Sequence, residues 1–187
     1  MTTTWKADPI HSELFFKIKH LMISEITGSV TGFKLDVQTE GNDFGNVNKL
    51  KFDADLESLS TNNQSRDVHL RSASFFDVEN FQHLTFEGVS FEKMGMEPRT
   101  ILSGLRNDYQ LEGNLTIKGV TRRVTLQGEF GGTAIDVCGR KKAGFTVRGK
   151  INRKEFGLDW EGKTDAGKLI LGDEVRIFGN IQLVKQA

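Results

Sequence analysis

The chain has 187 residues, one cysteine and a formal net charge of zero, from 25 basic and 25 acidic side chains. A chain of this size is most simply one domain with a substantial core, so residues 1–187 are expected to form a single domain. Balanced charge argues against nucleic acid as the main partner, since neutralising phosphates needs a basic surplus, and the lone Cys138 excludes an intrachain disulfide. No basic segment followed by an apolar stretch is visible at the N-terminus, so the expected compartment is the cytoplasm. No run approaches the ~20 apolar residues of an integral membrane span.

The first strand pattern places Leu14, Phe16, Ile18 and His20 on one face and Phe15, Lys17 and Lys19 on the other. A second strand is expected from Ser29 to Val37. From Lys49 to Glu57, Leu50, Phe52, Ala54 and Leu56 alternate with charged neighbours, the clearest amphipathic strand in the chain. The alternation stops between Ser60 and Phe76. Ser60-Thr61-Asn62-Asn63 is rich in N-cap residues, and Gln64 to Ser72 is predicted to be a short helix across one end of the sheet.

Strand patterns resume at Leu84–Phe91 and Tyr109–Ile117. A tight connection at Lys118-Gly119 leads into Val124–Phe130, and Ala143–Ile151 and Val175–Leu183 follow. About eight amphipathic antiparallel strands close most easily into a barrel, which removes exposed edges. A barrel of eight strands is either filled by side chains or holds one small ligand. Gly113, Gly149 and Gly179 fall on inward positions. They either leave space beside Phe16, Phe52, Phe86 and Phe145 or mark bends at barrel corners.

Several segments resemble one family in order along the chain. They are Trp5-x-x-Asp8-x-x-His11-Ser12-x-Leu14-x-Phe16-x-Ile18-x-His20, Gly28-x-Val30-x-Gly32-Phe33, and Arg66-Asp67-x-His69-Leu70-Arg71-Ser72 with Phe75-Phe76-Asp77. Leu84-Thr85-Phe86, Gly113-x-Leu115-Thr116-Ile117-Lys118-Gly119-Val120-Thr121, Ile151-Asn152-Arg153-x-x-Phe156-Gly157-Leu158-x-Trp160 and Gly172-Asp173-Glu174-Val175 continue the match. Together they resemble the YceI-like family of polyisoprenoid-binding barrels. The resemblance implies an all-β fold: an extended antiparallel eight-stranded lipocalin-like barrel with a short helix at one end. It also implies an apolar cavity for an isoprenoid quinone, polyprenyl or fatty-amide-type amphiphile, with no covalent cofactor. Transport, storage and protection in a stress response all fit that resemblance. Where the family commonly has a proline before the Leu-Thr-Phe strand, this chain has Gln82-His83.

The apolar lining expected from the alternation is Leu14, Phe16, Ile18, Phe52, Leu56, Phe86, Leu115, Phe145 and Val147. The polar candidates for a head group are His20, Arg66, His69 and Arg153, with Asp67 as a possible partner of Arg66. Each has a structural alternative: His20 as a hydrogen-bonded core residue, Arg66 as a fastener of the helix, Arg153 as a turn-fixing side chain. No nucleophile-elbow, zinc-helix or phosphate-loop pattern occurs, so no catalytic residue is expected. The histidines lack metal-ligand spacing, and a metal-dependent or isomerase-like enzyme would need His11, His20 and His69 to converge with Asp67. A third alternative is an interaction module with a filled lumen. Phe15 and Phe178 on nominally outward positions, together with the resemblance, point to a homodimer.

Overall fold

The computed structural model describes residues 1–94, 108–164, 167 and 169–187. Among them are β1 (Thr2–Ala7), β2 (Glu13–His20), β3 (Ser24–Val30), β4 (Phe33–Glu40), β5 (Asp43–Asp55) and β6 (Leu59–Ser60), then the helix α1 (Gln64–Arg71). There follow β7 (His83–Lys93), β8 (Asp108–Ile117), β9 (Val120–Ile135), β10 (Lys141–Asn152) and β11 (Leu171–Lys185). No helix among the described residues is long and apolar enough to cross a membrane.

The strands form one antiparallel ring in the order β1-β4-β5-β7-β8-β9-β10-β11 and back to β1. One edge of β11 is shared: Leu183 to Lys185 face β1, while Leu171 to Asn180 face β2. β2, β3 and β6 therefore continue β1, β4 and β5 past kinks, and the wall is an eight-stranded barrel whose first three strands are bent. This is the lipocalin-like architecture expected from the sequence, with its short helix at one end.

The kinks account for the differences from the expected boundaries. Ser29–Val37 is not one strand, because the chain bends at Thr31-Gly32, where the Gly32 N–H donates to Ser58 Oγ at 2.8 Å. Leu56 and Glu57 leave the amphipathic strand for a 3₁₀ turn over Leu56–Ser58, which Asp55 caps by accepting from the Glu57 N–H. β1 is absent from the sequence expectation because Trp5 is its only large apolar residue. Trp5 is nevertheless fully buried, and its indole N–H donates to Thr39 Oγ1 at 3.0 Å.

The bend between β1 and β2 is fastened by buried charge. Asp8 accepts from Lys142 Nζ at 2.8 Å and from the Ile10 N–H, and it also contacts His11 Nδ1. The same ammonium donates to Gln182 Oε1, and Ser12 Oγ accepts from the Gln182 N–H, so the bend is tied to β10 and β11 at once. At the helix, Asn63 caps by accepting from the Arg66 N–H. Buried Asp67 accepts from the N–H and hydroxyl of Thr61 and from Ser60 Oγ, and Arg71 donates to the Leu59 carbonyl. Helix α1 is thereby pinned to β6.

Two hairpins use turns whose central residues have positive φ. β8–β9 turns through Lys118 (φ 49°) and Gly119 (φ 74°), a pairing in which glycine meets the need. β2–β3 turns through Leu21 (φ 51°) and Met22 (φ 60°), closed by the Ile23 N–H to the His20 carbonyl at 3.2 Å. Left-handed backbone at a side-chain-bearing residue costs about 1–2 kcal/mol.

The Lys142 hydrogen bond is the main cause holding the Asp8 carboxyl far below its ordinary range. Burial acts to raise Asp67, but the hydrogen bonds from Thr61 and Ser60 prevail and leave it lowered. Carboxyls lowered in the folded chain contribute stability that is full above the unfolded value, near pH 4, and is lost as pH falls through the folded value. Urea unfolding midpoints should therefore fall steadily as pH drops below about 4, and Asp8→Asn should flatten that slope while lowering the midpoint at neutral pH. A slope identical to the native one would contradict the assignment.

A candidate ligand cavity

Alternation along the strands sends one set of side chains into the ring. On β7 and β8, Phe86 stands opposite Leu115 and Gly88 opposite Gly113. On β2 and β3, Phe16 stands opposite Gly28. A Cβ placed at Gly28 would lie 2.2 Å from the Phe16 ring, one at Gly113 2.2 Å from the Phe86 ring, and one at Gly149 2.2 Å from a Leu126 methyl. The inward glycines Gly113 and Gly149 thus neither leave gaps nor simply mark corners. They let large neighbours lie flat against the wall, which keeps the middle of the lumen clear. Gly179 meets only ordinary contacts and lines the open space itself.

That space is a cavity of about 260 Å³, and no polar atom reaches its surface. It is lined by Leu14, Phe16, Ile18, Phe52, Leu56, Phe86, Leu115, Phe145 and Val147, the apolar residues picked out by alternation. Its lining runs from Phe44 and Val47 among the aromatic rings to Leu158 and Leu171 towards the helix, so the space extends along the barrel. The volume is just below the range of small-molecule sites, roughly 300–1,000 Å³, so the space is long and narrow. A lumen filled by side chains, one of the sequence alternatives, is not what the structure has.

One end is packed with aromatic rings. Phe44 lies 4.9 Å from both Trp5 and Phe145, Phe130 lies 5.0 Å from Phe145, and Phe91 stacks on Tyr109 at 4.7 Å. Phe75 and Phe76, which follow α1, line the cavity towards the other end, together with Leu158 and Leu171.

The polar candidates are not gathered around the lumen. Arg66 and Arg153 border the cavity, yet their guanidinium groups serve the chain itself. Arg66 donates to the hydroxyl and carbonyl of Thr61 rather than pairing with Asp67, whose partners are Thr61 and Ser60. Arg153, 1% exposed, donates to the carbonyls of Gly172, Leu158 and Trp160 and reaches Asp173 at 3.4 Å. His69 packs edge-on against Trp160 at 4.9 Å, and His20 ends β2 opposite Ser24 and Leu171; neither lines the cavity. His11 lies against Asp8 and His83 against Asp53, outside the lumen. The convergence of His11, His20 and His69 with Asp67 that a metal enzyme would need does not form, and among the described residues no group of three or more His, Cys, Asp or Glu could hold a metal ion.

Phe15, expected on the outer face, borders the cavity, and Phe178 is half-buried with the Lys17 ammonium 5.8 Å from its ring centre. Residues missed in the sequence include Leu35, Val37, Leu111, Ile177, Ile181 and Leu183. All lie in register with alternating neighbours, so extending the same period along β4, β8 and β11 would have found them. Leu158 comes from a loop and carried no such signal.

A closed antiparallel barrel of eight strands around an apolar lumen, with one helix at its end, defines a lipocalin-like barrel protein. The chain belongs to the YceI-like domain family, whose sequence profile matches residues 5–183. A UPF0312 protein of Staphylococcus epidermidis is 35% identical over 177 residues, 93% of each chain. The crystal structure of the Campylobacter jejuni YceI protein is 27% identical and covers 90% of both chains with a TM-score of 0.73. Burkholderia cenocepacia BcnA shares the fold at 20% identity, with 94% of this chain and 98% of that one covered and a TM-score of 0.74. A polyisoprenoid binding domain from Saccharophagus degradans does so at 14% identity, covering 97% and 98%, with a TM-score of 0.63.

The glycine–aromatic contacts give a paired test. A Cβ at Gly28 has its three nearest contacts on the Phe16 ring, so Gly28→Ala should push that ring into the lumen with the fold retained. Gly113→Ala also meets the Glu87 carbonyl oxygen at 2.5 Å and should destabilise the barrel by about 1–3 kcal/mol. Thermal unfolding and titration with a fluorescent fatty acid check both. Equal stability of the two variants, or undiminished probe uptake by Gly28→Ala, would contradict this packing.

Proposed function

We propose that this protein binds and carries a hydrophobic amphiphile of the isoprenoid quinone, polyprenyl or fatty-amide class, with the hydrocarbon enclosed in the lumen. The observation that carries the reading is a long, narrow cavity whose surface holds no polar atom. A hydrocarbon gains roughly 0.8 kcal/mol per methylene moved from water into such a space, and aromatic walls add contact area at low entropic cost. The polar side chains around the lumen are bonded to the chain itself, so the site is built to enclose a tail rather than to act on it. The likeness to a domain named for polyisoprenoid binding supports the same ligand class. No observation favours the enzyme reading. Pairing of two copies would use the β2–β11 face around Phe178.

Native mass spectrometry of freshly purified protein, followed by organic extraction, should reveal one lipid adduct per chain. A lipid-free mass combined with failure to take up added ubiquinone or fatty amide would remove the reading. Phe145→Trp should narrow the lumen and weaken binding of a long tail by roughly tenfold, measured by fluorescence titration. Arg153→Ala should act differently: leaving one buried and two part-buried carbonyls without their donor lowers stability by on the order of 3 kcal/mol, measured by urea unfolding.

A further inference from the structure

The tip of the β2–β3 hairpin runs against two local preferences at once. Leu21 and Met22 hold left-handed backbone, where turns of this kind favour asparagine and glycine. Lys118-Gly119 shows that the same chain places glycine where a tight hairpin calls for it. The tip also exposes three consecutive apolar side chains: Leu21 at 37%, Met22 at 64% and Ile23 at 84%. The fold gains little from them. Among the described residues, the backbone hydrogen bond from the tip to its neighbour runs from the Leu21 N–H to the Ile170 carbonyl at 2.7 Å, which any residue could make.

The surroundings indicate what the tip meets. Lys19 is exposed near the end of β2, exposed Lys163 pairs with Leu169, the residue before the Ile170 that the tip contacts, and Lys17 lies further along β2. Glu25, the acid closest in sequence, is shared by two cations, Lys19 and Arg176, so this group as a whole is net positive. Val68 of α1, at the same end of the barrel, is 59% exposed. Three side chains are far too small an area for a stable protein interface, which needs roughly 800 Å² from each partner. Insertion into a bilayer has no such threshold, because each apolar side chain contributes separately and nearby lysines are drawn to anionic lipid.

We propose that Leu21, Met22 and Ile23 form a tip that enters the interfacial layer of a lipid bilayer, where the barrel exchanges its amphiphile. The purpose of the contact rests on the carrier reading, since a water-insoluble cargo has to be collected from and returned to a membrane.

The test is the double variant Leu21→Asn/Met22→Gly, which gives the turn the residues it favours and so should match or exceed the native unfolding midpoint. Three quantities are read: cosedimentation of ligand-free protein with vesicles of phosphatidylcholine and phosphatidylglycerol, transfer of a fluorescent fatty acid between such vesicles, and uptake of that probe from vesicle-free solution. The expected result is a loss of about tenfold or more in vesicle binding and transfer, with uptake from solution unchanged. Ile23→Ser should show a smaller loss of the same kind. Native-like vesicle binding by the double variant overturns the proposal. So does a change in its sedimentation coefficient without lipid, which would assign the tip to a second copy of the chain. Failure of the native protein to take up the probe from solution would overturn the carrier reading instead, while vesicle cosedimentation still decides whether the tip meets lipid.

Discussion

An apolar space persists inside this protein because the wall around it satisfies its own polar groups. Every strand of the ring is paired on both edges over part of its length, and the polar side chains nearest the lumen are bonded outward or along the wall. Arg153 is the clearest case. Its stem borders the cavity while its guanidinium gathers three carbonyls from the segments that close the helix end. An arginine left unpaired there would draw in water, and the cavity would cease to be a medium for hydrocarbon.

Openness then depends on where bulk is placed. The barrel carries many phenylalanines, enough to fill a lumen of this size. They are kept to the wall by glycines on neighbouring strands, as Phe16 is over Gly28 and Phe86 over Gly113. The aromatic cluster around Phe44, Phe130 and Phe145 plugs one end instead of the middle. Acidic side chains are likewise used as fasteners: Asp8 secures the first bend and Asp67 secures the helix.

Much of this was legible in the sequence because a period of two is also a statement about which residues share a face. The alternating lining on β2, β5, β8 and β10 follows from it directly, and the helix after Asn63 was marked by N-cap residues where that alternation stops. What escaped were features with no period. β1 shows one large apolar residue in a run of threonines, and only the barrel reveals that Trp5 is buried. The bend at Gly32 interrupts a pattern that reads as continuous, because Val30 and Phe33 both remain apolar. His20 fits the alternation of β2 yet lies outside the cavity lining, since the strand ends there. His69 and Arg153 looked available for a ligand because a sequence does not show that Trp160 covers one and that backbone carbonyls occupy the other.

The ring is completed by pairings between the two extremities of the chain, Trp5 with Lys185, Lys6 with Val184 and Ala7 with Leu183. Those rungs span almost the entire contour of the polypeptide, the most expensive kind of loop to close in entropy. The ribosome makes β11 after every other described strand, so the nascent barrel carries an unzipped seam, with the edges of β1 and β10 bare, until β11 emerges. The seam is the place where assembly is slowest and where intermolecular strand pairing competes with folding.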